Sequence, residues 1–200
     1  LFRQSSHPPF ADGECTTCHA PPGSGEGFAL TVRQDELCGS CHPEAVEASR
    51  TAPFPHVAAG GSSCSACHNA HSGDGTGLLL QDQLSLCTTC HDPGGARSGE
   101  EGRYLSHGED LTCDTCHSPH GGDRPLMFTT DSIELCGSCH SHQHAIVHPV
   151  GEETIDPRNG QPMTCITCHG IHNAPFEKYM HEDGQRELCV GCHEDRGAPQ

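Results

Sequence analysis

One short motif, Cys-x-x-Cys-His, occurs eight times in the sequence, and its copies take up all 16 cysteines. They are Cys15, Cys18 and His19; Cys38, Cys41 and His42; Cys64, Cys67 and His68; Cys87, Cys90 and His91; Cys113, Cys116 and His117; Cys136, Cys139 and His140; Cys165, Cys168 and His169; and Cys189, Cys192 and His193. Two thiols one helical turn apart can form thioethers to the two vinyl groups of a haem, while the imidazole that follows binds its iron from one side. A structural zinc site also uses Cys-x-x-Cys but does not need histidine directly after the second cysteine. From composition alone, eight such histidines have a chance on the order of 10⁻⁸ to 10⁻⁹, so the regularity asks for a ligand role. A disulfide scaffold leaves the same histidines unexplained.

Composition would otherwise exclude a globular fold. Leu, Ile, Val and Phe number 30 of 200 residues, Trp is absent and the formal charge is -17, which is the composition of a disordered chain. Covalent haem resolves the conflict. About one macrocycle per 25 residues supplies a flat apolar surface, and thioethers tie the chain to it, so the cofactors form the core and the apoprotein is expected not to fold. With one lysine, Lys178, and nine scattered arginines, the chain lacks the basic patch of a nucleic-acid binder. Its acidity suits basic proteins, cations or mineral surfaces as partners. Apolar runs such as Leu78-Leu79-Leu80 are too short to span a membrane. The start Leu1-Phe2-Arg3-Gln4 reads as that of a processed, exported chain, which suits haem attachment outside the cytoplasm, in the periplasm or beyond the cell.

First cysteines follow one another at intervals of 23, 26, 23, 26, 23, 29 and 24 residues. The chain therefore reads as a single extended array of four di-haem repeats, about 1–51, 52–102, 103–145 and 146–200. Glu44 to Arg50 is the clearest short helix, ended by Pro53 and Pro55. Pro21 to Gly25 and Pro93 to Gly99 read as loops, Pro125 to Phe128 as a short extended or irregular segment, and Asp156 to Gly160 as a turn. The fold expected is mostly irregular coil with one-turn helices at the attachment sites, a few longer ones and little or no β-sheet.

Ten further histidines remain. His71, His120 and His172 each stand three residues after a motif histidine. In a helical turn that spacing puts both imidazoles on one face, so the second would have to reach the iron of a different haem, and the two haems would lie close together. The bland alternative is a histidine facing solvent or a propionate. An upstream set, His7, His56, His107, His148 and His181, brings the candidates to eight, one sixth ligand for each iron. Met127, Met163 and Met180 are too few to serve generally, and histidine on both faces holds potentials low where methionine raises them. His142 and His144 are surface histidines or replacements for one of the eight. The first repeat has Pro22 where the next two have His71 and His120, while the last has the additional His181, with the surplus around His142 at its entrance. Such an array could exchange a ligand head to tail, which generates an open filament, or fold back so that His144 or His148 completes an early haem.

Cys64 to His71 with Cys87 to His91, Cys113 to His120 with Cys136 to His140, His148-Pro149-Val150-Gly151 and Cys165 to His172 resemble the doubled Cys-x-x-Cys-His family of multihaem c-type cytochromes. The resemblance covers nearly the whole chain and departs at Pro22. It implies a haem-cored fold with closely stacked haem pairs, and an electron conduit of respiratory microbes: a soluble periplasmic carrier, a subunit of an outer-membrane conduit, or a polymerised extracellular filament. The expectation is an octahaem conductor with no catalytic residue, forming a head-to-tail homopolymer that meets redox partner proteins or extracellular acceptors. A multihaem oxyanion reductase would need a five-coordinate iron with proton donors and cations beside it. Against that requirement stand one lysine, Tyr104, Tyr179 and histidines enough to close every iron.

Overall fold

A computed structural model describes residues 5–25, 27–56, 63–93, 107, 111–141, 150–172, 176–182 and 186–193. The fold is short helices, two small two-stranded sheets and much coil, as the frequency of turn residues requires. It divides into two compact units, Leu1–Cys90 with Thr112–Thr129, and His91–Leu111 with Thr130–Gln200. Among the described residues no hydrophobic side chain is buried, and the most enclosed side chain is a carboxylate, Asp156. No described helix is long and apolar enough to cross a membrane.

In the first unit β1 (Ser5–Ser6) pairs antiparallel with β2 (Ser72–Gly73). Helix α1 (Pro8–Ala11) starts on prolines, and α2 (Cys15–Cys18) is the first attachment turn. Helix α3 (Gln34–Gly39) packs on α4 (Pro43–Thr51), Gly39 facing Val46. Proline in its first turn, Glu44 near its start and Arg50 near its end match α4 to the helix dipole. The half-exposed Arg50 joins the exposed Arg33 on the buried Asp35 carboxylate, which ties α4 to α3. Helix α5 (Gln83–Thr88) is capped by Asp82, whose side chain accepts from Ser85 N–H, a bond that holds this carboxyl below its usual range. Helix α6 (Cys113–Cys116) is the fifth attachment turn.

The second unit holds α7 (Ser132–Gly137), capped by Asp131, and α8 (Glu187–Val190). Its hairpin pairs β3 (Gly151–Ile155) with β4 (Pro162–Met163). The expected turn closes it, with Asp156 O accepting from Gly160 N–H at 2.8 Å.

Candidate haem sites

The attachment motifs come in two structural kinds that alternate along the chain. At Cys15, Cys64, Cys113 and Cys165 the motif forms an isolated helical turn. Thr112 and Thr164 close two of these turns with reciprocal capping boxes to Thr115 and Thr167. The histidine that follows leaves the helix and bridges a residue eleven positions on, pairing His19 with Leu30, His68 with Leu79, His117 with Phe128 and His169 with Met180.

In each bridge the imidazole Nδ1 meets a backbone carbonyl nine residues ahead. The distances are 2.7 Å from His19 to Phe28 O, 2.6 Å from His68 to Gly77 O, 2.8 Å from His117 to Leu126 O and 2.8 Å from His169 to Lys178 O. A carbonyl only accepts, so Nδ1 carries the proton and Nε2 keeps the lone pair that binds a metal. Three of these carbonyls belong to left-handed residues: Gly77 at φ 69°, Leu126 at φ 59° and Lys178 at φ 57°. Outside glycine that conformation costs roughly 1–2 kcal/mol. Replacing Leu126 by glycine, the residue already used at 77, is expected to stabilise the holoprotein by about 1 kcal/mol, read by thermal melting.

The other four motifs straddle the C-terminal ends of α3, α5, α7 and α8. There His42, His140 and His193 donate their backbone N–H to the first cysteine's carbonyl, at 2.8, 2.8 and 2.9 Å.

The second set of histidines reaches these sites from neighbouring segments. The structure brings His71 to His19 with ring centroids 5.9 Å apart, His7 to His42 at 6.1 Å, His120 to His68 at 5.9 Å and His107 to His140 at 5.8 Å. In the first unit a shared junction delivers them. His7 N–H donates to His71 O at 2.9 Å beside the β1–β2 pair, and Phe54, two residues before His56, bridges Gly122, two residues after His120. His71 is not in a helical turn after His68, as the three-residue spacing suggested. The bridge to Leu79 draws His68 into extended backbone and ends the helix there.

Burial foremost, then His42 and His71, lowers the His7 pKa, and burial foremost, then His68 and His56, lowers that of His120. Both are thereby held as neutral imidazole, the form that binds metal. Gly121, beside His120, has φ +116°, and an added Cβ would lie 2.7 Å from Ala48 O on α4. Gly121→Ala is expected to cost more than about 1 kcal/mol and to displace His120, seen as a lower melting temperature.

His181 lies against its own repeat, with Nε2 3.1 Å from Ile166 O. His172 follows His169 in a turn and His91 follows Cys90, while His107 also faces Tyr179 at 5.7 Å. His142, His144, His148 and Tyr104 lie outside the described residues.

Consecutive sites also approach one another. Cys38 is in hydrogen-bond contact with Cys64, and Cys87 with Cys113; burial first and the facing thiol second push Cys38 and Cys87 up to about 11. Cys18 lies near Cys38, and Cys67 near Cys87 and Cys90. Gln83 Oε1 accepts from Asp114 N–H at 3.3 Å, and Gln34 Oε1 from Ser65 N–H at 3.5 Å, binding each helix to the next attachment turn. In the second unit α7 packs on the turn at Cys165–Thr167, and Cys168 lies near Cys192.

This donor set fits haem. Two imidazoles on opposite faces of one iron have ring centroids about 6 Å apart, from about 2 Å per metal–nitrogen bond and about 1 Å from nitrogen to ring centre, and the observed pairs stand at 5.8–6.1 Å. None of the 16 cysteines is in a disulfide. Among the described residues no three His, Cys, Asp or Glu side chains converge as a zinc cage would require. The sequence asked His71 and His120 to reach a different haem but left open which histidines face each other, and it missed the carbonyls nine residues ahead. Only the carbonyls had a local trace, the Gly75-Thr76-Gly77 turn.

A family model described as the doubled CXXCH motif matches residues 7–47, 56–96, 106–145 and 157–198. No curated protein matches the chain.

Proposed function

The chain belongs to the doubled CXXCH motif family, whose motifs indicate covalently bound haem c and electron transfer by a multihaem c-type cytochrome, and on that premise we propose an octahaem conductor. Bound haem supplies the redox change, one electron per iron. The chain's residues set spacing, ligation and exposure. We assign His19 with His71, His42 with His7, His68 with His120 and His140 with His107 as axial pairs. His56, His148, His172 and His181 are the candidates for the remaining irons. Two histidines per iron leave no open position for a substrate and hold the potentials low.

The observation that carries this reading is the approach of consecutive sites within the first unit, where Gln34 Oε1 accepts from Ser65 N–H at 3.5 Å and Gln83 Oε1 from Asp114 N–H at 3.3 Å, with Cys38 beside Cys64 and Cys87 beside Cys113. A reductase would need, besides such a relay, a five-coordinate iron with proton donors and cations beside it.

The working form we propose is a head-to-tail extracellular filament. In the assigned pairs the second histidine of a lone-turn site comes from the following repeat, as His71 does for His19 and His120 for His68. Pro22 therefore withholds no ligand from its own repeat, since the sites of Cys15 and Cys38 take His71 and His7 in this assignment. Under this assignment a junction between copies conducts by proximity and needs no ligand exchanged with the first repeat.

Electron microscopy of the native protein, at low and high dilution without crosslinker, tests the assembly. Fibres one subunit thick support it. Dispersed particles of one chain's mass would leave a periplasmic or conduit-complex carrier, and a high-spin ferric component binding cyanide or nitrite would favour a reductase.

A further inference from the structure

The hairpin β3–β4 occupies the longest interval between attachment sites, the 29 residues from Cys136 to Cys165. Its turn carries an ion pair. Asp156, 1% exposed, accepts from Arg158 backbone N–H at 2.9 Å, from Nε at 2.9 and 3.2 Å and from Nη2 at 2.8 Å.

The pair is wedged between the last two attachment motifs. Arg158 Nη2 lies 3.5 Å from Thr167 O, inside the motif of Cys165 and Cys168. Arg158 Cδ would stand 3.8 Å from a Cβ added at Gly191, inside the motif of Cys189 and Cys192. Cys192 Sγ is 3.9 Å from Asp156 Oδ1.

We propose that the Asp156–Arg158 pair is a positioning and electrostatic device that sets the redox potentials of the haems attached at Cys165–Cys168 and Cys189–Cys192. This rests on haem attachment at those motifs. Reduction adds negative charge at an iron. A guanidinium nearby favours the reduced form and a carboxylate disfavours it. Joined, the two nearly cancel while their fork holds both motifs at one distance. Enclosure makes the balance matter for Asp156, whose carboxylate would be poorly screened without its partner, whereas the exposed Arg158 guanidinium left alone is damped by solvent and should act more weakly.

The test is a potentiometric titration of holoprotein variants, with haem attachment at both motifs checked by peptide mass spectrometry. Arg158→Gln, which leaves the carboxylate alone, should move two components to lower potential and leave the others in place. Asp156→Asn, which leaves the guanidinium alone, should move the same two upward. The double variant should return towards the parent. Arg158→Lys keeps the charge and loses the fork, and it alone of the single variants should leave the potentials close to the parent; if Arg158→Gln yields no holoprotein, the upward shift in Asp156→Asn decides the test.

A purely structural role would shift both single variants the same way. That result, or unmoved potentials with both haems attached, overturns the proposal. A parent chain without haem at either motif overturns the attachment reading instead.

Discussion

A chain in which all 16 cysteines are replaced by serine will not fold. Its circular dichroism will be that of a disordered polypeptide, and its amides will exchange at unprotected rates. Fixing a backbone costs roughly 1–2 kcal/mol per residue, and the described residues bury no hydrophobic side chain to offset it. Phe28, 89% exposed, and Leu126, 59% exposed, have no apolar interior to enter. The side chains that are buried among the described residues are polar: Asp35, Ser72, Ser132 and Asp156. Hydrogen bonds around such groups contribute only about 1 kcal/mol each. The helices cannot compensate, since the longest described, α4, has 9 residues, fewer than an isolated helix needs in water. A cooperative thermal transition in the cysteine-free chain would sink this account.

Replacing His71 by alanine will open a single iron. About one eighth of the haem should turn high-spin and bind cyanide or carbon monoxide, an effect read by optical and paramagnetic resonance spectra. The affected haem should be the one on Cys15 and Cys18, because the His71 ring stands opposite His19 at 5.9 Å. In a background lacking Cys15 and Cys18 the same substitution should produce no high-spin signal. His7→Ala should act in the same way on the site of Cys38 and Cys41. Its side chain can be removed without touching the backbone bond from His7 N–H to His71 O, so the two effects should stay separate. His71→Met, which offers a thioether in place of an imidazole, should instead keep that iron low-spin and raise its potential. An unchanged low-spin spectrum in His71→Ala would mean that another residue closes this site.

The motifs that indicate covalent haem were legible in the sequence, because a thioether pair and its histidine need only five consecutive residues. So were the two-sites-per-repeat rhythm, the α4 helix between its prolines and the Asp156–Gly160 turn, all set by neighbours along the chain. Gly121 beside Ala48 O, and the histidine pairs, depend on segments brought together from far apart. His19 and His71 are 52 positions apart, and His7 and His42 are 35. No spacing rule predicts such pairs, because the register of a short antiparallel contact selects them; the i, i+3 rule failed at His71 once the His68–Leu79 bridge had ended its helix.

The sequence by itself therefore determined which motifs can take covalent haem and that a core must come from a cofactor. Tertiary structure alone decided which imidazoles face each other, which carbonyl orients each lone-turn histidine, and that Asp156 and Arg158 lie between the last two sites. The physical reason is range. Thioether attachment is written in residues one helical turn apart, whereas axial pairing and electrostatics act through space, and separation in space follows from how the repeats pack.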